Sequence, residues 1–154
     1  MSDSGRKKKL LAVASGGGHW VQLMRLRPAF AEMDCAYVTT LEGYRPEVPD
    51  ARFYVVTDGN RWSKWKLAAS LAQVSWVIVR ERPDVVVSTG AAPGLLAVVL
   101  GRLLRAKTVW VDSIANAEKL SMSGRIATRW ASLCLTQWPH LEKPEGPRYL
   151  GAVL

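Results

Sequence analysis

The sequence predicts an α/β fold, a Rossmann-like, doubly wound, mostly parallel sheet with helices on both faces. Three observations carry that expectation. Short apolar runs alternate with helix-patterned stretches along the chain, the signature of strand–helix–strand units. Val85 to Val87 is a continuous β-branched run, as a central strand buried on both sides requires. The first apolar run ends in Ser15-Gly16-Gly17-Gly18-His19, a glycine-rich turn leading into a helix.

Taken in order, the strand candidates are Lys9–Ala14, Cys35–Thr39, Arg52–Val56, Asp84–Ser88, Thr108–Val111 and Leu133–Gln137. Helix candidates lie between them at Val21–Met33, Ser63–Arg80, Gly94–Arg105 and Ser123–Ser132. Pro83 and Pro93 mark boundaries, because proline lacks the N–H that a helix interior needs. The chain shows no internal repeat and no low-complexity linker.

With 154 residues the chain is the size of one domain, since about 150 residues bury roughly 68–70% of their unfolded surface. A single domain over residues 1–154 is expected, with residues 1–8 a basic flexible tail. The net charge of +8 favours anionic partners without separating nucleic acid, nucleotide sugars and acidic lipid headgroups. Cys35 and Cys134 form neither a CxxC pair nor a metal-ligand spacing, so they read as reduced core residues of a cytosolic protein. No metal site is expected. The apolar stretch behind Arg6-Lys7-Lys8-Lys9 is too short for a signal peptide. The uncharged run Leu67–Val79 is well under the roughly 18 residues that span a bilayer. The N-terminal basic cluster reads either as a solvated tail or as a contact with an anionic leaflet, where each Lys or Arg contributes about 1 kcal/mol.

In open sheets of this kind ligands sit beyond the carboxyl ends of the strands. The residues there are Ser15 to His19, Asp58 to Trp62, Thr89 to Gly94, Asp112 to Asn116 and Trp138 to His140. The glycine turn reads as an anion site: glycine removes the side chain that would block approach, and a helix start offers unpaired N–H groups and partial positive charge. A ligand carrying phosphate or diphosphate is expected. A dinucleotide fingerprint is disfavoured, because Val21 stands where G-x-G-x-x-G wants its third glycine. No Gly-Lys dipeptide, G-x-S-x-G or H-E-x-x-H occurs, which removes P-loop, simple hydrolase and zinc-protease readings.

Four segments together resemble one family. They are Ser-Gly-Gly-Gly-His at 15–19, Ser-Thr-Gly-Ala-Ala-Pro-Gly at 88–94, Asp-Ser-Ile-Ala-Asn at 112–116 followed by Leu120 to Arg125, and Thr136 to His140 with Tyr149 to Leu154. In that order they are similar to the acceptor-side subunit of the split UDP-N-acetylglucosamine transferase that adds the second sugar to dolichol diphosphate, and to its bacterial relatives in capsule and exopolysaccharide synthesis. The fused transferase that makes peptidoglycan lipid II has comparable loops, with a longer glycine motif. The resemblance implies a GT-B glycosyltransferase divided between two polypeptides, this chain being the N-terminal, acceptor-binding half. The eukaryotic members begin with a membrane-spanning helix, which this sequence lacks, so peripheral membrane contact is expected.

The implied reaction is inverting transfer of a sugar from a UDP-sugar to a lipid-diphosphate-linked acceptor. Attack by a sugar hydroxyl needs a base beside it, and the diphosphates need cationic or N–H partners. His19 is the leading candidate for base or acceptor-phosphate contact; the alternative is that it caps the helix or packs on Trp20. Asp112 is the rival base, or else a structural cap for the turn that follows. Ser15, Gly16, Gly17 and Gly18 are assigned to an acceptor-diphosphate loop, against a plain tight turn. Gly90 and Gly94 flank a second loop, which lines the acceptor or is a simple strand-to-helix turn. Ser113 and Asn116 are candidates to hydrogen-bond sugar hydroxyls, though both are ordinary loop residues.

Core burial accounts for most of the seven tryptophans. Trp65 and Trp76 can share a helix face, and Trp62, Trp65 and Lys66, beside Arg61 and Lys64, form a basic aromatic patch suited to lipid headgroups. The apolar end Tyr149 to Leu154 reads as a docking point for a second subunit, or as a last strand or core tail. The expected partners are a nucleotide-sugar-binding catalytic subunit, a lipid-diphosphate acceptor and an anionic membrane surface on the cytoplasmic side, without nucleic acid. This chain holds no cofactor on that reading; the UDP-sugar belongs to the partner, and the chain alone is inactive or weakly active. A non-catalytic membrane scaffold and a basic nucleic-acid-binding domain are the alternatives.

Overall fold

The computed structural model describes residues 5–60 and 62–153. In chain order its elements are β1 (Lys9–Ala14), α1 (Gly18–Leu26), a 3-10 turn (Arg27–Phe30), β2 (Asp34–Thr39), a second 3-10 turn (Glu42–Glu47), β3 (Arg52–Val55) and α2 (Lys64–Glu81). They continue with β4 (Val85–Gly90), α3 (Ala91–Leu103), β5 (Lys107–Val111), α4 (Met122–Trp130), β6 (Leu133–Thr136), a third 3-10 turn (Pro139–Leu141) and β7 (Arg148–Tyr149). The strands form one sheet in the order β3-β2-β1-β4-β5-β6-β7, with every neighbouring pair parallel.

The alternation of side chains along β1 builds both faces. Leu11 and Val13 join Val74, Val77 and Ile78 of α2 and Ala97 of α3 in one buried cluster. Leu10, Ala12 and Ala14 join Trp20 and Leu23 of α1 with Tyr37, Phe53 and Val87 on the other face. Trp110 of β5, in register with Ser88, packs with Val98 of α3 and Ala127 of α4, so α2, α3 and α4 form one helical layer. The fold is the Rossmann-like α/β architecture that the sequence predicts.

The chain winds outward from β1 to β3, returns through α2 to β4 beside β1, and then winds the other way. That reversal opens a crevice at the carboxyl ends of β1 and β4. The register slips there between Val13 and Ala14, which brings Ala14 opposite Gly90.

Several boundaries differ from the sequence reading. The first helix begins at Gly18 instead of Val21, because Gly17 adopts φ 70°, which turns the chain sharply before the first turn. It ends at Leu26, where Pro28 tightens the chain into a 3-10 turn. The third helix begins at Ala91 instead of Gly94; Pro93 sits in its first turn, where an N–H has no intrahelical partner anyway. Of the last strand offered as one reading of Tyr149 to Leu154, Tyr149 alone among the described residues is in a strand: β7 pairs two residues, Arg148 and Tyr149, with Leu135 and Thr136. Two residues carry no period for a sequence to display.

The expectation that core burial explains most tryptophans is corrected. Trp20 and Trp110 are fully buried, whereas Trp62, Trp65, Trp76 and Trp130 are all exposed. Cys134 is buried as expected, and burial pushes its thiol up to about 11, but Cys35 is only half-buried. At the amino end, Arg6 bonds Asp84 at 3.2 Å and the Lys8 carbonyl accepts from the Asp34 N–H at 2.9 Å. Residues 1–4 of the expected tail, with Arg61 and Leu154, lie outside the described residues.

Trp20 fixes where α1 begins. Its indole stacks on Tyr44 at 4.9 Å, meets Tyr37 and Phe53 edge-on, and donates Nε1–H to Glu47 at 3.1 Å. Removing such a ring costs about 3–5 kcal/mol, so the neighbouring residue, His19, stands on a rigid support.

Candidate functional site

A cleft of about 490 Å³ opens at the carboxyl edge of the sheet. Three chain segments line it: Gly18 and His19 after β1, Gly90 and Ala91 at the β4–α3 junction, and parts of the segment 112–123 after β5. The strand reversal between β1 and β4 is what brings these loops together. A larger hollow of about 830 Å³ lies at the opposite edge, near Lys9, Asp34 and Arg27. Among its charged lining residues Asp34 is bonded to Arg52 and Arg6 to Asp84, and none of the loops above reaches it.

His19 is half-buried and tied to β4 twice. Its Nδ1 lies 3.1 Å from the Thr89 carbonyl, and the Thr89 hydroxyl donates to the His19 carbonyl at 2.6 Å. A carbonyl only accepts, so in the neutral ring Nδ1 carries the proton and Nε2 keeps a lone pair. The ring reaches this place because residue 90 lacks a side chain: a β-carbon on Gly90 would collide with it. Gly90 has φ 147° and Ala91 has φ 71°, so the turn holding His19 is bent where L-residues rarely go.

Asp112 is 2% exposed and fully engaged. Oδ1 accepts from Trp110 Nε1 at 3.0 Å and from the Ser121 hydroxyl at 2.6 Å. Oδ2 accepts from the Ser121 N–H at 2.9 Å and from Asn116 Nδ2 at 3.3 Å. A carboxylate offers about four acceptor positions, and here each has a donor. The effect is to clamp the start of α4, whose N-cap Ser121 also accepts from Gly124 N at 2.8 Å.

The first turn of α1 is uncapped and carries no acid. Its N–H groups at Gly18, His19 and Trp20 precede the first intrahelical donor, Val21, which bonds the Gly17 carbonyl at 3.1 Å. The other residues assigned to the glycine loop are placed differently. The Gly16 N–H donates to Thr40 Oγ1 at 3.2 Å and the Gly17 N–H to the Tyr44 hydroxyl at 2.9 Å, while Ser15 is buried. Gly94 is buried against Ser88, where a side chain would collide with the serine hydroxyl. Ser113 and Asn116 line the cleft. Trp62, Trp65 and Lys66 stand outside it on the surface, with Trp65 88% exposed at the start of α2.

Four residues at or behind the cleft carry roles that the sequence reading did not assign. Thr89 and Ser121 hold His19 and Asp112, and the buried amides Gln22 and Gln137 stand behind Ser113. Ser121 had a signal, as a capping residue three positions before a buried glycine. The glutamines had none. Among the described residues none of the third strand-end loop lines the cleft, and from the sixth Trp138 and His140 brace its wall: Trp138 Nε1 donates to the Ile114 carbonyl at 2.7 Å and His140 Nε2 lies 2.6 Å from the Ala117 carbonyl. Among the described residues no three His, Cys, Asp or Glu side chains gather as a metal site would need.

Comparison with known proteins agrees with this fold. A family model described as oligosaccharide biosynthesis protein Alg14 like matches residues 44–153. The UDP-N-acetylglucosamine transferase subunit ALG14 of Eremothecium gossypii is 27% identical, over 97% of this chain and 82% of its own length. The human subunit of the same name is 26% identical, over 94% of this chain and 82% of its own. Among solved structures, MurG of Acinetobacter baumannii superposes with a TM-score of 0.72 at 14% identity, over 94% of this chain. This chain spans 45% of that one, so the likeness shows the fold of one part of that protein. The chain belongs to the Alg14-like family of oligosaccharide-biosynthesis proteins.

Proposed function

We propose that this chain is the acceptor-binding subunit of a two-component inverting glycosyltransferase in bacterial polysaccharide or lipid-linked oligosaccharide synthesis. It takes a lipid-diphosphate-linked sugar into the cleft at the carboxyl edge, while a separate subunit brings the UDP-sugar. The observation that carries this reading is His19, which lines an open cleft beside an uncapped helix start with Nδ1 committed to the Thr89 carbonyl, so that the neutral ring keeps its lone pair on Nε2. The uncapped N–H groups of α1 suit the acceptor diphosphate, and Nε2 suits removal of the proton from the attacking sugar hydroxyl. Asp112, with its oxygens already bonded, serves on this reading as the clamp of the cleft wall. No cofactor of its own is required for that chemistry.

The lipid places the substrate at a membrane, and peripheral attachment on the cytoplasmic side is part of the proposal. Among the described residues no helix is long and apolar enough to cross a bilayer. Helices α2, α3 and α4 together contain one acid, Glu81, which is buried and bonded to Arg52. Their outward basic residues are Lys64, Lys66, Arg80, Arg102, Arg125 and Arg129, set among exposed Trp65, Trp76, Val79, Leu103, Ile126 and Trp130. The patch proposed at Trp62, Trp65 and Lys66 is on this view one corner of a larger surface.

The test is reconstitution. The tagged chain is purified with whatever nucleotide-sugar-binding protein co-purifies after mild crosslinking. Transfer from UDP-N-acetylglucosamine and UDP-glucuronic acid to a short-chain lipid-diphosphate sugar is then measured. His19→Ala is expected to lower the rate by about 10²–10⁴-fold. A partner that transfers at full rate without this chain, or a His19→Ala complex as fast as wild type, overturns the reading.

A further inference from the structure

Behind the cleft two buried amides form a directed hydrogen-bond chain. Gln137 is 3% exposed and Gln22 is 5% exposed. The orientation of Gln137 is set by backbone groups at both of its ends. The Asp112 carbonyl can only accept, so Nε2 of Gln137 faces it at 3.0 Å; the Val153 N–H can only donate, so Oε1 faces it at 2.8 Å. The second Nε2 proton goes to Gln22 Oε1 at 2.6 Å, which leaves Gln22 Nε2 to donate to Ser113 Oγ at 3.2 Å. Ala115 N–H donates to the same Oγ, also at 3.2 Å. A hydroxyl has two lone pairs and one proton. Both lone pairs of Ser113 are taken, so its proton must be given away, and no described residue receives it.

We infer that Ser113 is preset as a hydrogen-bond donor to an oxygen of the ligand in the cleft, with Gln22 and Gln137 as its positioning residues. The chain runs one way, from Val153 N–H through Gln137 and Gln22 to the Ser113 hydroxyl, and bonds aligned in this way polarise one another. A phosphate or sugar oxygen satisfies such a donor, whereas an ammonium group finds nothing to bind at that atom. The same chain ties the backbone at Val153, further held by Arg25 Nη1 on the Val153 carbonyl at 3.3 Å, to the cleft wall. The identity of the ligand rests on the function proposed above; the preset donor does not.

The experiment uses the full chain with inorganic pyrophosphate as probe and amide hydrogen exchange as a ligand-free readout. Wild type, Gln22→Leu, Ser113→Ala, the double variant and Ser113→Thr are compared. Gln22→Leu is expected to speed exchange of the Ala115 amide, because its acceptor hydroxyl is then free to swing away, while β5 amides keep their protection. In pyrophosphate binding Ser113→Ala and Gln22→Leu should each cost about tenfold. The double variant should cost no more than either, and Ser113→Thr should retain affinity. A Gln22→Leu loss that is equally large with and without the Ser113 hydroxyl assigns Gln22 to general packing and overturns the inference, as does unchanged Ala115 exchange. If wild type fails to bind pyrophosphate while Ala115 exchange responds as stated, the diphosphate reading falls and the preset donor stands.

Discussion

The imidazole of His19 fills the space that a β-carbon on residue 90 would need; built on the backbone, that atom would stand 3.1 Å from Cγ and nearer still to Nδ1 and Cε1. Gly90 is therefore required twice, for the ring and for its own φ of 147°. Gly90→Ala is expected to cost about 1–3 kcal/mol in backbone strain alone. At roughly 2–4 °C per kcal/mol for a chain of this size, the melting temperature should fall by about 2–12 °C. It should also abolish transfer in protein that remains folded, since the ring must move. Gly18→Ala makes the contrast, because a β-carbon there meets open space. That variant should gain about 0.4–1 kcal/mol from a stiffer unfolded chain while weakening any ligand that approaches the start of α1. Calorimetry separates the two: equal melting temperatures for both variants would contradict the argument.

Asp112→Asn tests whether this buried carboxylate clamps or reacts. An amide in its place turns one acceptor into a donor facing the N–H and O–H groups of Ser121 or the Trp110 indole. The expected cost is about 1–3 kcal/mol, read from denaturant unfolding, together with loss of order at the start of α4. A variant that folds as stably as wild type yet fails in transfer would instead return Asp112 to the role of base.

These two residues show how far the sequence could be read. The rule that ligands sit beyond strand ends picked out His19, Asp112, Ser113 and Asn116, and the fold does bring their loops to one cleft. Gly16 and Gly17 looked equivalent to Gly18, but which amide of a glycine run stays unpaired depends on Thr40 and Tyr44, many residues away. The Gln22–Gln137 bond joins positions 115 apart, and a glutamine in a helix pattern reads as surface. Trp62 and Trp65 stand on the surface as the basic aromatic patch required, whereas Trp76 and Trp130 mislead, because apolar side chains are assigned to the core unless a fold says otherwise.

Acid stability should carry the mark of Asp34. The hydrogen bond from the Arg52 guanidinium, 2.8 Å away, holds the Asp34 carboxyl below its ordinary value, with burial opposing. A carboxyl whose folded pKa is depressed contributes stability above its unfolded pKa, about 3.9, and loses it as pH falls through the folded value. Both side chains are more than a third exposed, so the contribution is small and screened by salt. Wild type should therefore exceed Asp34→Asn in stability by a constant margin above about pH 5, and the two curves should converge below about pH 4. Parallel curves through that range would mean the ion pair does not couple to folding.

The outward face of the helical layer makes the strongest demand on solution behaviour. Eleven residues at 100° per residue leave Trp65 and Trp76 only about 20° apart around α2, and both are exposed, at 88% and 57%. Ala68, Ala72 and Val79 fall on the same stripe, while Val74, Val77 and Ile78 point inward. Ile126 and Trp130, four residues apart, repeat the pattern on α4 beside Arg125 and Arg129. Water alone gives no reason to expose so much apolar surface, and the lack of an outward acid selects an anionic partner. The chain is thus expected to float with vesicles of mixed phosphatidylglycerol and phosphatidylcholine and to release as salt rises. Replacing Arg125 and Arg129 by Glu should weaken partitioning by more than about thirtyfold, since each basic residue lost at an anionic surface is worth about 1 kcal/mol. Trp65→Ser with Trp76→Ser should weaken it on neutral and anionic vesicles alike, because it removes apolar area and leaves the charge unchanged. If both pairs of substitutions leave flotation at the wild-type level, this layer does not face the membrane and its apolar stripe belongs to a protein partner.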